Sequence, residues 1–190
     1  MSIPMRASSS LSLLSLGSLL SLLALVAPSS ASAVEPSSFS GRYVWTTNEV
    51  ERVLLAKEVD ETVATLIRVL RPIARPSLRK ATAPFDFIEI QVEGTNRITY
   101  ARAGVPPVQA ALDGQPVKWE REGGTELNVA FEMTPEGKLQ QTLSESDGTR
   151  VHLFSLAPTE TNLTMEVAIN SKRLDREIRY KLTYVKVAGR

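Results

Sequence analysis

From Phe85 to the C-terminus, apolar side chains recur at every second position, and turn-forming residues interrupt them at regular intervals. No other feature constrains the chain as tightly, because a period of two marks strands with one dry face and one wet face. Leu127, Val129, Phe131 and Met133 share one parity, while Glu126, Asn128 and Glu132 take the other. Leu163, Met165, Val167 and Ile169 repeat the pattern, as do Ile178, Tyr180, Leu182 and Tyr184. The expected strands are 85–93, 97–103, 115–121, 125–133, 138–145, 149–156, 162–171 and 177–187. A poorer one lies near 105–112, where Pro106 and Pro107 would confine it to an edge. Between them stand Gly94, Asp113-Gly114, Gly123-Gly124, Pro135-Glu136-Gly137 and Asp147-Gly148. Asp-Gly and Gly-Gly suit tight hairpin turns because they tolerate positive φ. Consecutive hairpins make an antiparallel meander, and about nine strands lose their edges most easily by closing into a barrel. A sandwich is the alternative pairing of the same strands.

Ahead of this region the period changes. Gly41 to Trp45 is a short strand that puts Tyr43 and Trp45 on one face. Thr46 and Glu49 then form a capping box, and Val50, Val53 and Leu54 follow at helical spacing. Val59, Val63, Leu66, Ile67 and Leu70 continue it, either as one helix from Thr47 to Arg71 or as two with a break near Lys57–Glu61. Pro72 is expected to end the helix, since it lacks an N–H and clashes with the preceding turn.

The first 33 residues carry one charge, Arg6, then a Leu-rich run from Leu11 to Val26, Pro28, and Ala31-Ser32-Ala33. This is the layout of a secretory signal peptide cleaved near Ala33. The apolar run, broken by serines and Gly17, is too short and too diluted for a membrane anchor. The expected product is secreted or periplasmic, with no transmembrane span: a flexible stub over 34–40, then one domain over 41–190. Of 22 basic and 21 acidic residues only Arg6 leaves with the signal, so the mature chain is formally neutral. A neutral domain lacks the field that phosphate backbones require, which argues against nucleic acid as a partner. There is no cysteine, so disulfides, thiol catalysis and thiolate metal sites are excluded.

Strand, helical segment, then eight or nine antiparallel strands resembles the fatty-acid-binding-protein branch of the calycin superfamily. Phe39-Ser40-Gly41-Arg42-Tyr43 is similar to that family's opening motif, and Leu182-Thr183-Tyr184-Val185-Lys186-Val187 to its closing strand. The resemblance implies a mainly β fold: an antiparallel up-and-down barrel with a helical segment, about 47–80, inserted after the first strand. It also implies a small lipophilic ligand inside. The family pairs an Arg two residues before its closing Tyr with the ligand carboxylate; here Tyr184 matches but the Arg position is Leu182. That departure points to a more neutral ligand or to a packed barrel.

The inward faces so defined would carry Tyr43, Trp45, Trp119, Phe131, Met133, Met165, Tyr180, Leu182 and Tyr184. Aromatic and aliphatic walls with a few polar tips suit a lipophilic guest, and the same residues would equally fill a solid barrel. Arg150, His152 and Phe154 share a face; inward, Arg150 and His152 would be polar anchors, and the expectation is that this set points outward. His152 is the only histidine, so a multi-His metal site is excluded. Arg68, Arg71, Arg75, Arg79 and Lys80 form a basic, proline-spaced stretch. It would serve either as a portal surface for anionic lipid or an envelope protein, or as plain pairing partners for Glu58, Asp60 or Glu61. No nucleophile elbow, zinc-protease, P-loop or dinucleotide motif occurs, and no cofactor is implied. Non-catalytic binding of a small lipophile is therefore the leading reading. The alternatives are an interaction module with a solid core and an enzyme of unknown chemistry, the latter requiring Arg150 and His152 inward beside buried carboxylates.

Overall fold

The computed structural model describes residues 34–120, 126–157, 159 and 161–188. The expected secretion signal and the Gly123-Gly124 turn lie outside them. Ten strands form one antiparallel sheet: β1 (Gly41–Trp45), β2 (Phe87–Glu93), β3 (Arg97–Arg102), β4 (Val105–Ala111), β5 (Val117–Glu120), β6 (Glu126–Met133), β7 (Leu139–Glu145), β8 (Gly148–Leu156), β9 (Asn162–Ser171) and β10 (Ile178–Val187). Their order is β4-β3-β2-β1-β10-β9-β8-β7-β6-β5. The sheet curls until its two end strands meet. Trp119 on β5 donates its indole N–H to Pro106 O on β4 at 3.0 Å, and Gly114 N donates to Phe131 O at 2.9 Å. The result is a nearly closed barrel with two helices inserted after the first strand. Pro106 and Pro107 sit on the end strand β4, where its pairing with β3 shifts register between Tyr100 and Arg102, so the N–H groups they lack fall at an irregular stretch of the ladder.

The turn glycines act in two ways. Gly114 has φ +76°, the left-handed conformation that Asp-Gly was expected to supply. Gly148 needs its missing side chain for another reason: a Cβ there would stand 2.2 Å from Asn170 O on β9.

The helical segment departs from expectation at three points. The N-cap of α1 (Glu49–Thr65) is Asn48, not Thr46; its Oδ1 accepts from Val50 N at 3.0 Å and Glu51 N at 3.4 Å, and Asn is the stronger cap. The helix does not break at Lys57–Glu61, because Leu55, Val59, Thr62 and Val63 make one continuous buried stripe across it. The break comes at 66–70, and Pro72 begins α2 (Arg71–Thr82) rather than ending a helix, since a first-turn N–H has no helical partner to lose. Val50, Val53 and Leu54 lie on the outer face and are exposed. No helix among the described residues is long and apolar enough to cross a membrane.

The stretch expected to be a flexible stub contains a turn of 3₁₀ helix, Pro36–Phe39, whose Phe39 is fully buried. Tyr43 Oη donates to Phe39 O at 3.0 Å, which seats this segment against the bottom of the core.

Candidate functional site

Register sets the interior. Phe131, Gln141, His152, Val167 and Tyr180 lie side by side across β6 to β10, forming one inward row. Met133, Leu139, Phe154, Met165 and Leu182 form the row on one side of it. Val129, Leu143, Arg150, Ile169 and Ile178 form the row on the other. All nine expected lining residues face this interior. Tyr43, Trp119, Phe131, Met165, Leu182 and Tyr184 are buried, and Trp45, Met133 and Tyr180 are half-buried against the core.

Arg150 and His152 also face inward, which corrects the expectation that they point out. Parity alone gave both faces of β8 an apolar look, because Val151 and Leu153 alternate with Arg150 and His152. The neighbours decide: Arg150 sits between Leu143 and Ile169, and His152 between Gln141 and Val167. His152 is 1% exposed, and its Nδ1 lies 2.7 Å from Gln141 Oε1. With the amide oxygen as acceptor, Nδ1 carries the proton and donates. The ring packs edge-on against Phe85 and Phe154, both at 6.0 Å between centroids. Among the described residues the buried polar side chains are Thr62, Thr82, Gln141 and His152. Ser144 and Ser155 have the opposite parity and face away from the imidazole.

Sequence reasoning passed over three interior polar residues: Tyr100, Arg102 and Gln141. Their signal was available, because Tyr100 and Arg102 share parity with Ile98, and Gln141 lies between Leu139 and Leu143 on the inward face. The Tyr100 ring reaches across the barrel to Phe131 (5.7 Å), Phe154 (6.2 Å) and Trp119 (6.2 Å). Arg102 stacks its guanidinium over Phe85 at 4.2 Å. Tyr100 Oη and Gln141 Nε2 are wholly buried and have no hydrogen-bond partner in the protein. Burial pushes the Tyr100 and Tyr180 phenols above their ordinary range, against the pull of Arg102 and Arg150. Burial does the same to Tyr184, opposed by the hydrogen bond its oxygen accepts from Phe85 N at 3.2 Å.

One side of the barrel is closed by side chains instead of a strand. β1 stops at Trp45, opposite Tyr184, so β10 from Ile178 to Thr183 has no ladder on that side. Carboxylates of α1 take its place. Glu51 accepts from Thr183 N at 3.2 Å and from Trp45 Nε1 at 3.4 Å, and Glu58 accepts from Arg179 N at 3.2 Å. Arg176 clasps Glu58 and Glu61. A groove of about 290 Å³ runs along this seam, lined by Leu54, Leu55 and Glu61 on one wall and Tyr180 and Lys181 on the other.

The basic stretch is mostly engaged. Arg71 caps α1, its Nε donating to Leu66 O and its Nη2 to Ala64 O, both at 2.9 Å. Arg75 and Arg79 both pair with Asp60, whereas Glu58 and Glu61 turn to Arg176. Arg68 and Lys80 stay exposed. Around Arg68 the hairpin tip displays Ile67, Val69, Leu70 and Ile73 at 69, 79, 47 and 69% exposure.

A strand, a helical pair and nine antiparallel strands that curl back on themselves make a ten-stranded, nearly closed barrel of the kind seen in fatty-acid-binding-protein folds. No protein-family model matches the chain, and no curated protein matches it. Among solved structures, a secretary abundant heat soluble (SAHS) protein from Ramazzottius varieornatus aligns at TM-score 0.51 and 10% identity, over 82% of this chain and 100% of that one. A Schistosoma mansoni fatty acid binding protein in complex with arachidonic acid aligns at TM-score 0.44 and 15% identity, covering 80% and 98%. Lipid binding protein 8 of Caenorhabditis elegans aligns at 0.47 and 14%, covering 81% and 99%. At these identities the likeness is one of fold.

Proposed function

We propose that the protein is a non-catalytic, extracytoplasmic binding protein for a small lipophilic molecule, admitted through the seam between α1 and β10. The observation that carries this reading is the groove between α1 and β10, where Tyr180, a member of the inward row that is only half-buried, is among the lining residues. Behind it the walls are aromatic and aliphatic, with polar groups at a few points, as a lipophilic guest requires. Latching α1 to β10 by carboxylates instead of a ladder gives a joint that parts without unzipping the sheet. The expected result is that native mass spectrometry of the mature protein shows a co-purifying small lipophile, released by organic extraction. A clean mass, with no uptake of a fluorescent lipid probe, sinks the reading.

A second reading has its own support. Tyr100, Gln141, Phe131, Phe154, Met165, Leu182 and Tyr184 expose no more than 1% of their surface. A side chain lining an internal space would show surface to it, so these pack against one another. The binding reading therefore requires the empty barrel to close on its own side chains and to yield on uptake. The rival keeps it solid, as a module that contacts an envelope protein.

The tip of the helical hairpin suits loading from a lipid surface. Four exposed apolar side chains flank Arg68, a combination that inserts among acyl chains while the cation meets anionic headgroups. Full burial of each apolar side chain is worth about 1.5–3 kcal/mol. Val69→Asp with Ile73→Asp is expected to cut binding to phosphatidylglycerol vesicles by at least about tenfold. Co-sedimentation unaffected by the pair would rule the tip out.

A further inference from the structure

We infer that the ligand carries an uncharged acceptor oxygen, as in an alcohol, ketone or ester, and that this oxygen is held in the barrel layer formed by Tyr100 and Gln141. This rests on the binding function proposed above and goes further by fixing the ligand's polar group.

Tyr100 Oη and Gln141 Nε2 are both donors, both wholly buried, and neither bonds to any protein group. A buried donor left unmet is costly, and native interiors supply partners for nearly all of them. Phe131 and Phe154 connect the two. Tyr100 packs on Phe131, the register neighbour of Gln141, and on Phe154, two residues along β8 from the histidine that holds the Gln141 amide. His152 fixes the amide with Oε1 inward to the imidazole, which leaves Nε2 as the face offered to a guest.

Both donors are uncharged, and that selects the guest. A carboxylate held by this phenol and amide would be met by two uncharged donors, which do not offset its lost hydration. Leu182, fully buried in the next row, brings an isobutyl group and no charge to this side of the layer. Arg102 and Arg150 do not reverse this balance. At the Tyr100 hydroxyl the effect of burial exceeds the pull of both guanidiniums, in keeping with a site that favours an uncharged oxygen.

The test is competition for a fluorescent lipid probe by a straight-chain alkanol, alkanoate and alkane of equal length, on the mature protein at neutral pH. The alkanol is expected to bind about tenfold more tightly than either of the others. Tyr100→Phe, which removes only the hydroxyl, is expected to abolish most of the alkanol's advantage over the alkane. A preference for the alkanoate, or equal binding of alkanol and alkane, overturns this inference and leaves the binding function standing. Binding of none of the three overturns both.

Discussion

Alkaline titration is expected to unfold the barrel between about pH 10 and 12, in one step that coincides with ionisation of its tyrosines. Tyr100 and Tyr184 are both 0% exposed, and burial raises the pKa of each above the ordinary 10.0. The sign follows from linkage. Below pH 10 the phenols are protonated in both folded and unfolded chains, so the folded state suffers no proton-linked loss. Above it the unfolded chain releases the protons while the folded chain holds them. Stability then falls by about 1.4 kcal/mol per group per pH unit until the folded pKa is reached. Two such groups remove about 5 kcal/mol by two units above the ordinary value, which matches the lower end of domain stabilities. Half-buried Tyr180 adds to the same trend.

Far-ultraviolet circular dichroism and phenolate absorbance, followed together, check this. Coincident transitions are the expected result. Tyr100→Phe should move the midpoint to higher pH, because it removes one linked proton and breaks no hydrogen bond. Phenolate absorbance complete near pH 10 with the β signal intact would mean that water already reaches these hydroxyls, and the packed interior described above would be wrong.

The strand layout was legible because one constraint, a wet face against a dry one, acts at every second residue and tolerates little error. It located the expected strands near their observed positions and the nine lining residues on the inward side. It failed on Arg150 and His152 for a definite reason. Parity states which residues share a face, and only cross-strand partners state which face is buried. Leu143, Ile169 and Val167 are those partners, and they are far away in sequence. The helical segment was harder because its signals are local and compete. Thr46 and Asn48 are both acceptable caps, and Pro72 suits a first helical turn as well as a helix end. Val50, Val53 and Leu54 mimic a buried stripe, but α1 turns Leu55, Val59 and Val63 to the barrel instead. The seam between α1 and β10 left no trace in the sequence, since Glu51 and Glu58 look like any exposed helix acids until the sheet places two unpaired N–H groups opposite them.

Phe154→Ala is expected to cost about 3–5 kcal/mol, read as a lower urea midpoint with an unchanged slope. Phe154 is 0% exposed and touches the rings of Tyr100 and His152, with Leu139 and Met165 beside it in the same row. It is held by ladders to β7 on one side and β9 on the other, so the walls have little freedom to close over the void. That rigidity keeps the loss near the upper end for a buried ring. A loss below about 1 kcal/mol would mean that the interior collapses freely and is not specifically packed. The converse substitution separates the two functional readings. Met165→Phe overfills the layer next to Gln141 and His152, which in a solid barrel costs about 1–3 kcal/mol. A barrel built to part for a guest accommodates the larger ring at smaller cost, by occupying the space the guest would take, and shows the change as weakened lipid uptake. Stability lost with no uptake to lose favours the module with a solid core; stability kept with uptake impaired favours the binding protein.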